Sequence, residues 1–383
     1  MLPYFIIFWI ALVLLLIFPN KTTSSKIFFT IFWFALALFV GLGDMLGGYD
    51  RYIYGEFFDS LADTVSLGYS FTETAVYNFY KQESGYVFAN YLISFVTHNR
   101  YIFILILTLL IYTLTYHSII KFSKSYFFTA ILFLGLMFFF SFTYLRQIIA
   151  AAIAWQSIQA ITDRKLWKFL IIVLIAFSFH NSALIFLPAY FIPIRKFQQS
   201  SIIVIAIIAL VIGILGFHAQ LFETYGELSE AQFRAANYAN QSSGFRIEYL
   251  LEASLFLSII LICYRYIPAN KKDIVLLNLG IVFCLILLAF IKSTNGGRLS
   301  WFYMIGIFIT LSNLSVVKQL KRQVWYSLTL ILISLGLYAR ILNVWPTFYP
   351  YKTFLTPGYV EDIWHVHDQY EYNFQYDYDK FHR

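Results

Sequence analysis

Hydrophobic runs of 16 to 20 residues recur along almost the whole chain and are separated by polar segments. A membrane-spanning α-helix needs roughly 20 apolar residues, and helices and closed barrels are the structures that cross a bilayer. The pattern therefore predicts an all-α fold, a polytopic bundle of membrane helices. The predicted helices lie near residues 2–18, 27–43, 101–119, 127–144, 147–162, 168–180, 183–194, 201–217, 249–264, 274–291, 301–316 and 324–341.

The predicted number of membrane helices is about twelve, within a range of roughly 11 to 14, because boundaries read from one sequence shift by a few residues. The runs at 168–180 and 183–194 are short for a span. Val87 to Val96 forms a further apolar stretch that is too short to cross the bilayer. We expect this stretch to lie at the membrane interface.

Composition supports the same class of protein. Of the 383 residues, 60% are hydrophobic and only 12% are charged, whereas soluble domains carry about 25% charged residues. The first run, at 3–18, lacks a basic start and a cleavage site of small residues, which favours a retained helix over a signal peptide. Cys263 and Cys284 lie in apolar runs, so neither a disulfide framework nor a metal site is indicated.

The charges are divided unevenly between alternate loops. With twelve helices, fifteen of the 27 Lys and Arg residues fall in alternate short loops, which hold only Asp163 and Asp273 of the 20 acids. Short loops rich in Lys and Arg lie on the cytoplasmic side, so both termini and the longer polar segments are predicted outside. The net charge of +7 follows this topology and does not indicate nucleic-acid binding. The outer segments are 44–100, 219–248 and 343–383.

We predict one membrane domain, residues 1–342, followed by an outer tail at 343–383. The tail is rich in Tyr and Asp, a composition that suits carbohydrate stacking, although a cap over the bundle is the favoured role. Most charged residues of the segment 219–248 fit a solvated amphipathic face. Arg246, beside the next membrane helix, is the exception and is a candidate site residue.

Arg146 and Gln147 lie between two runs that are long enough to be membrane helices. A guanidinium at membrane depth costs at least roughly 2.5 kcal/mol, so it is retained where it faces a partner or a polar cavity. A hairpin turn with a snorkelling arginine is the alternative. No Gly, Pro or Asn occurs between Ser141 and Ala160, which favours instead a kinked or staggered helix pair with a buried Arg146 facing the outer side.

Two further breaks between helices carry polar candidates. His180 and Asn181 lie between two short hydrophobic runs. Histidine titrates near neutral pH, which suits proton transfer or hydrogen bonding to an anion. A core histidine whose hydrogen bonds are all made within the protein is the alternative. Lys292 and Arg298 flank Ser293-Thr-Asn-Gly-Gly297, whose N–H groups could point at an anion. An ordinary turn with interfacial anchors is the alternative there.

The first outer segment contains Gly48-Tyr49-Asp50-Arg51-Tyr52 after a glycine-rich turn. Carboxylates and tyrosines together resemble a sugar-binding surface, and Asp50 could accept a proton from a sugar hydroxyl. Asp44 is a further candidate, and a solvated acidic loop is the alternative for both.

Several cations on one side of the membrane predict a polyanionic headgroup such as a lipid-linked pyrophosphate. Guanidinium groups bind phosphate oxygens through paired hydrogen bonds and would stabilise a departing pyrophosphate. The sequence lacks an Asp-x-Asp-like pair that would indicate a metal site. We therefore expect protein cations to take the place of a metal, with no cofactor.

Two motifs resemble those of a known family. Tyr144-Leu-Arg-Gln-Ile-Ile-Ala-Ala-Ala152 and Phe179-His-Asn-Ser-Ala-Leu-Ile-Phe-Leu-Pro188 look like the EpsG family, which is similar to the Wzy-type polymerases of surface polysaccharides, including O-antigen and capsule. Gly48 to Tyr54 also matches, but departs from the family's usual Gly-Thr-Asp-Tyr form, and the region of Arg298 fits as well. The resemblance extends from the second to the eleventh predicted helix.

The resemblance implies a GT-C-like glycosyltransferase of the bacterial inner (cytoplasmic) membrane that acts at the outer leaflet. The donor would be a glycan on undecaprenyl pyrophosphate and the acceptor another lipid-linked repeat. Membrane lipids, and chain-length regulator and flippase proteins, could be further partners. The implied roles are catalysis by Asp50 as base with His180 and Arg146, pyrophosphate binding by Arg146, Gln147, Arg246, Lys292 and Arg298, and substrate binding by Tyr49, Tyr52 and Asn181.

Two other classes of function stay open. A transporter or flippase for lipid-linked sugars would use the same cations for binding alone, although such proteins usually show internal repeats, which are not evident here. A polysaccharide ligase or acyltransferase is the other alternative.

Overall fold

The computed structural model describes residues 1–217, 244–293, 296–320 and 323–356. The described residues are mostly helical and contain no β-strand. In chain order the helices are α1 (Leu2–Ile17), α2 (Thr23–Gly41), α3 (Tyr49–Ser66), α4 (Ala75–Tyr80), α5 (Ser84–Ser94), α6 (Arg100–Phe122), α7 (Tyr126–Leu136), α8 (Phe140–Thr143), α9 (Leu145–Trp155), α10 (Ile158–Thr162), α11 (Leu166–Phe179), α12 (Gln199–Leu215), α13 (Ile247–Ile262), α14 (Lys271–Ala289), α15 (Met304–Leu314) and α16 (Gln323–Val344).

The chain divides into two compact units. Unit 1 comprises Met1–Gln156, Ile171–Ala183 and Val324–Arg383, and unit 2 comprises Ser157–Leu170 and Leu184–Gln323. The predicted boundary at 342 between membrane domain and tail stays a prediction. Most of the predicted outer segment 219–248, and the tail from 357, lie outside the described residues.

Helical membrane architecture is confirmed at a coarse level. Four helices, α2, α6, α14 and α16, are long and apolar enough to cross a membrane, and α1, α7, α11 and α12 are apolar but shorter. The predicted number of about twelve spans and the predicted orientation stay predictions, because the structure contains no membrane.

Four predicted helices differ in the structure, one of which, 147–162, is divided into α9 and α10. The run 127–144 is divided into α7 and the short α8, and α9 begins directly afterwards. The run 183–194 forms a 3-10 helix, Asn181–Tyr190, whose Pro188 lacks the N–H that an α-helix requires. The run 301–316 begins as a second 3-10 helix, Gly296–Tyr303, before α15.

The polar segment 44–100 is folded rather than an open loop. It contains α3, α4 and α5. Arg100, at the start of α6, donates to Asp59 of α3 through Nε at 2.8 Å, and both side chains are buried. This ion pair fastens α3 to the beginning of a candidate membrane span.

α5 covers most of the stretch that was expected at the membrane interface. It buries Tyr86, Val87 and Asn90 against the protein. The opposite side of the segment is apolar and exposed, through Phe88, Leu92, Phe95 and Val96. Residues spaced by three, four and seven positions lie on one side of a helix. The segment is thus two-sided, while its interfacial location stays a prediction.

The last described residues of unit 1 return to the end of α2. Gly43 and Thr353 form an antiparallel bridge, and Phe354 N–H donates to the Leu42 carbonyl at 2.7 Å. Tyr351 stacks on Phe39 with ring centroids 4.0 Å apart. This return segment, residues 349–356, therefore closes unit 1 over the turn that leads into α3.

Unit 2 packs around α14, which contacts α12, α13 and α15. Gly280 of α14 faces Gly306 of α15 so closely that a Cβ on Gly306 would lie 2.2 Å from the Gly280 nitrogen. Small residues allow membrane helices to approach in this way.

Candidate functional site

Arg146 lies in the first turn of α9 in unit 1. Tyr144 separates α8 from α9 with φ −93° and ψ 52°, so the two helices are kinked at this point. The Arg146 side chain is 13% exposed. The predicted kinked helix pair with a buried arginine is confirmed.

Three tyrosine rings surround the Arg146 guanidinium. Its Cζ atom lies 4.0 Å from the ring centroid of Tyr80, 5.4 Å from that of Tyr54 and 5.6 Å from that of Tyr86. A guanidinium over an aromatic face gains roughly 0.5–2 kcal/mol, more when it is desolvated. The aromatic faces thus compensate part of the cost of burying this cation.

A carboxylate completes the surroundings of Arg146. Nη1 forms an ion pair with Glu83 Oε2, and the Glu83 side chain is only 3% exposed. Nε lies 3.4 Å from the Tyr54 hydroxyl, to which it donates. Nη2 makes no hydrogen bond with any residue that the structure describes. This edge of the guanidinium can therefore donate hydrogen bonds to a ligand.

Asn181 joins the same cluster through Glu83. Its backbone N–H donates to Glu83 Oε1 at 3.4 Å, and its Nδ2 donates to Gln82 Oε1 at 3.4 Å. Asn181 Oδ1 is buried and has no hydrogen-bond partner within the described part of the chain. The structure thus brings two predicted site residues, Asn181 and Arg146, to the same carboxylate, and the Asn181 Oδ1 atom could still accept a hydrogen bond from a ligand.

His180 precedes Asn181 and has a defined tautomer. Its Nδ1 accepts the Ser182 backbone N–H at 3.2 Å and lies 2.6 Å from the Ser182 hydroxyl. An N–H group can only donate, so Nδ1 carries no proton. The neutral imidazole must then carry its proton on Nε2, which makes that nitrogen a donor.

Asp50 lies one helical turn before Tyr54 on α3. Burial raises the pKa of Tyr54 well above its usual range; the Arg146 cation opposes this shift, and the Asp50 carboxylate adds to it. Tyr54 is therefore a neutral hydroxyl at physiological pH. Asp50 lies within electrostatic range of the arginine cluster through this tyrosine, as a candidate base should.

The predicted motifs around Asp50 and Arg146 meet at Gly48. A Cβ on Gly48 would lie 1.5 Å from Thr143 Oγ1 and 2.7 Å from Thr143 Cβ. Thr143 is the last residue of α8, three positions before Arg146. Only glycine permits this approach, so the close contact sets the relative position of the two motifs.

Arg51 of the same motif is fully buried but has a structural role. Its Nη2 donates to the carbonyls of Gly41 at 3.0 Å and Gly43 at 2.7 Å, at the end of α2. Burial lowers the pKa of Arg51 to about 10, and the nearby Asp44 charge opposes the shift, so the side chain stays charged at neutral pH. A cation is favourable at a helix C-terminus, where carbonyls lack partners.

The remaining candidates of unit 1 are placed differently. Tyr52 is 3% exposed, and its hydroxyl donates to Glu56 of its own helix. Asp44 is buried and accepts from Met45 N–H and the Tyr101 hydroxyl, so the alternative of a solvated acidic loop is wrong for this residue. Gln147 is 6% exposed. The side chain of Tyr49 lies outside the part that the structure describes.

The other predicted cations lie in unit 2. Arg246 precedes α13, and its backbone N–H donates to the Ile291 carbonyl at 2.9 Å, next to Lys292. Arg246 and Arg298 both lie within electrostatic range of Tyr249, whose hydroxyl hydrogen-bonds with the backbone of Gly297. These residues form a second group of cations around one tyrosine. Its convergence with the Arg146 cluster stays a prediction.

Polar groups of the loop that contains Gly296 and Gly297 hydrogen-bond with one another. Gly296 N–H donates to Ser293 Oγ at 2.9 Å, and Ser300 Oγ donates to the Gly297 carbonyl at 2.6 Å. The Gly296 N–H is therefore engaged within the loop instead of pointing at an anion. Residues 294 and 295, also part of the predicted anion loop, lie outside the described residues.

Sequence reasoning missed Glu83 and did not assign Tyr54, Tyr80 and Tyr86 to the site. Glu83 is 63 positions from Arg146, so no local spacing connects them. The one available signal is physical: a buried guanidinium requires an opposite charge, and the first outer segment holds several acids. The partner of Arg146 could thus be narrowed to the acidic residues of this segment, but nothing in the sequence distinguishes Glu83 among them.

Comparison with known proteins identifies the family. The model of the EpsG family matches residues 26–353, so the chain belongs to the EpsG family and the resemblance is confirmed. Membership indicates a polymerase-type function related to exopolysaccharide. No curated protein and no solved structure matches the chain.

Proposed function

We propose that this member of the EpsG family polymerises a surface polysaccharide at the outer leaflet of the bacterial inner membrane. It would transfer a glycan from undecaprenyl pyrophosphate to another lipid-linked repeat, as a metal-independent glycosyltransferase with a GT-C-like bundle of about twelve spans. Both termini and the site would lie on the outer side. The proposal extends a family assignment that covers residues 26–353.

The observation that carries the proposal is the state of the Arg146 guanidinium. It is fixed by Glu83 and Tyr54, enclosed by aromatic rings, 13% exposed, and its Nη2 makes no hydrogen bond within the described residues. A preorganised donor in a water-poor pocket stabilises developing negative charge at little reorganisation cost. In the transfer, the bond between the anomeric carbon of the sugar and a phosphate oxygen breaks, and negative charge develops on that oxygen of the departing lipid pyrophosphate.

The neighbouring groups suit the other parts of the reaction. The Nε2–H of His180 would donate to a phosphate oxygen, because Nδ1 is engaged with Ser182. Asn181 Oδ1, buried without a partner in the described chain, would accept from a sugar hydroxyl. Asp50 would take the proton of the attacking acceptor hydroxyl, and Gln147, Tyr49 and Tyr52 would line the substrate site.

The cations of unit 2 have a parallel role in the proposal. Arg246 and Arg298 lie about Tyr249, with Lys292 beside them along the backbone. Planar guanidinium groups bind phosphate oxygens bidentately, so these residues would hold a lipid pyrophosphate.

Replacement of Arg146 by lysine tests the proposed polymerase. Lysine keeps the charge but loses the planar fork that engages two partners at once, so polymer output should fall by at least about tenfold at unchanged protein level. The measurement is polysaccharide length on gels in a deletion strain complemented with wild type, Arg146→Lys or Arg265→Lys. Arg265 is an exposed control. Wild-type polymer with Arg146→Lys would reduce Arg146 to an anchor.

The lipid-linked pool of the deletion strain discriminates the function classes. A polymerase defect leaves single repeats on the outer leaflet, where a membrane-impermeant sugar oxidant can modify them. A transport defect traps them on the inner leaflet, and this result would overturn the proposal. Full-length polymer that stays on undecaprenyl pyrophosphate would indicate a ligase.

A further inference from the structure

Glu83 is the one carboxylate seen in direct contact with Arg146 in the described chain. It is the N-cap residue of α5, and its side chain is 3% exposed. One oxygen pairs with Arg146 Nη1, and the other accepts the Asn181 N–H at 3.4 Å. A negative charge is thus built into a site that we assign to a polyanion.

We propose that Glu83 is an internal anion that limits the affinity of the Arg146 site for pyrophosphate and so permits release of the lipid pyrophosphate product. The inference rests on the proposed function. It gives Glu83 a role in the later stage of the cycle, after the glycosidic bond has formed.

The electrostatic argument follows from the geometry of one guanidinium. A phosphate bound at Nη2 would share the cation with the Glu83 carboxylate, which already occupies Nη1. The two anions would then repel each other over a few ångströms in a pocket of low dielectric. At an effective dielectric constant of about 20 and a separation of about 6 Å, one pair of unit charges changes an affinity by roughly a hundredfold.

The surroundings of Glu83 argue against its being the base that activates the acceptor. A general base must reach the hydroxyl that it deprotonates. At 3% exposure, with one oxygen against a guanidinium and the other against a backbone N–H, the carboxylate offers little access to a sugar. Asp50 keeps that role in the proposed function.

The proposed role of Glu83 differs from that of a carboxylate in a purely structural ion pair. Unit 1 contains a second buried ion pair that serves for comparison. Asp59 and Arg100 form a second buried pair, outside the Arg146 cluster. If both carboxylates only stabilised the fold, removing the charge of either one would lower the stability of the protein in the same way. Only Glu83 would alter the binding of a phosphate ligand when its charge is removed.

The test is the dissociation constant of farnesyl pyrophosphate, a short soluble prenyl pyrophosphate, for the full-length protein in detergent. Glu83→Gln keeps the shape of the side chain and removes its charge, so binding should become roughly ten- to a hundredfold tighter. Asp59→Asn is the matched control and should leave the constant within about twofold. Turnover with Glu83→Gln should fall and be inhibited by lower concentrations of added product.

Unchanged or weaker binding by a folded Glu83→Gln protein overturns the inference. If that variant does not fold, Glu83→Ser carries the test: it also removes the charge and suits the N-cap position of α5, so binding should again tighten, and unchanged or weaker binding overturns the inference equally. If the wild type binds the probe and Arg146→Lys weakens binding while both Glu83 variants leave it unchanged, the proposed function stands without this role. If the wild type does not bind at all, the pyrophosphate site itself fails.

Discussion

Two buried arginines in unit 1 show how differently one residue type can be used. Arg51 is fully buried and donates to two carbonyls at the end of α2, whereas Arg146 is slightly exposed and pairs with the carboxylate side chain of Glu83. The sequence motif around Asp50 suggested a sugar-binding surface for the whole run. Its arginine is structural, and this could not be predicted, because only the fold places the Gly41 and Gly43 carbonyls beside it.

Arg51→Met should destabilise the protein without a direct effect on ligand binding. The variant leaves the Gly41 and Gly43 carbonyls without their donor and removes the cation near Asp44, at a cost of about 3–5 kcal/mol for breaking a buried charged arrangement. The thermal midpoint in detergent should fall by several degrees. The exposed Arg265→Met serves as control, and equal midpoints for the two variants would contradict the structural role.

Gly48→Ala should disturb the contact that aligns Asp50 with Arg146. The added Cβ would overlap the Thr143 side chain at 1.5 Å from Oγ1, so polymer output and thermal stability should both drop. Thr143→Gly in the same protein removes the overlapping atoms and should restore part of both. Gly336→Ala is the control, because no atom lies within 4 Å of its added Cβ. No loss with Gly48→Ala would refute the contact.

At the scale of elements, hydrophobic runs predicted the helices well and their interruptions poorly. Periodicity placed α2, α6, α14 and α16, since long uninterrupted apolar runs leave few alternatives. It missed the 3-10 helix at Asn181–Tyr190 and the split between α7 and α9, because apolar residues fill either geometry. Polar composition also hid α3 to α5, whose burial depends on contacts within unit 1.

The apolar side of α5 should contact lipid. α5 ends only a few residues before α6, a candidate span; α5 exposes Phe88 and Leu92, and the two residues after it, Phe95 and Val96, are exposed as well. A fluorescent label on Leu92→Cys should therefore be quenched by nitroxide lipids and protected from iodide. The same label on Lys81→Cys, an exposed polar position just before α5, is the control. Stronger iodide quenching at 92 than at 81 would exclude an interfacial location.

At the scale of the whole molecule, the family and the helical character are those predicted from the sequence, while the candidate cations fall in two units. Arg146 and Asn181 meet in unit 1, and Arg246 and Arg298 flank Tyr249 in unit 2. The charge distribution predicted that these candidate cations lie on the outer side. It could not specify which cations share a unit, because that depends on helix packing between distant parts of the chain.

The return segment should be required for the stability of unit 1. Truncation after residue 344 removes the Thr353 bridge to Gly43 and the Tyr351 ring on Phe39, whereas truncation after residue 356 keeps both. The shorter protein should have a lower thermal midpoint and lower abundance than the longer one. Equal midpoints for the two truncations would show that residues 345–356 contribute nothing.

The bridge between Gly43 and Thr353 also has a consequence for biosynthesis. Its two residues are separated by about 310 positions, which the ribosome needs roughly 15–60 s to synthesise. During that interval the turn after α2, with Asp44, cannot have its final partner, because Lys352 supplies the carbonyl that accepts the Asp44 N–H. The turn after α2 is therefore completed only after residue 353 has been synthesised, and a nascent chain that stalls before that residue lacks this contact.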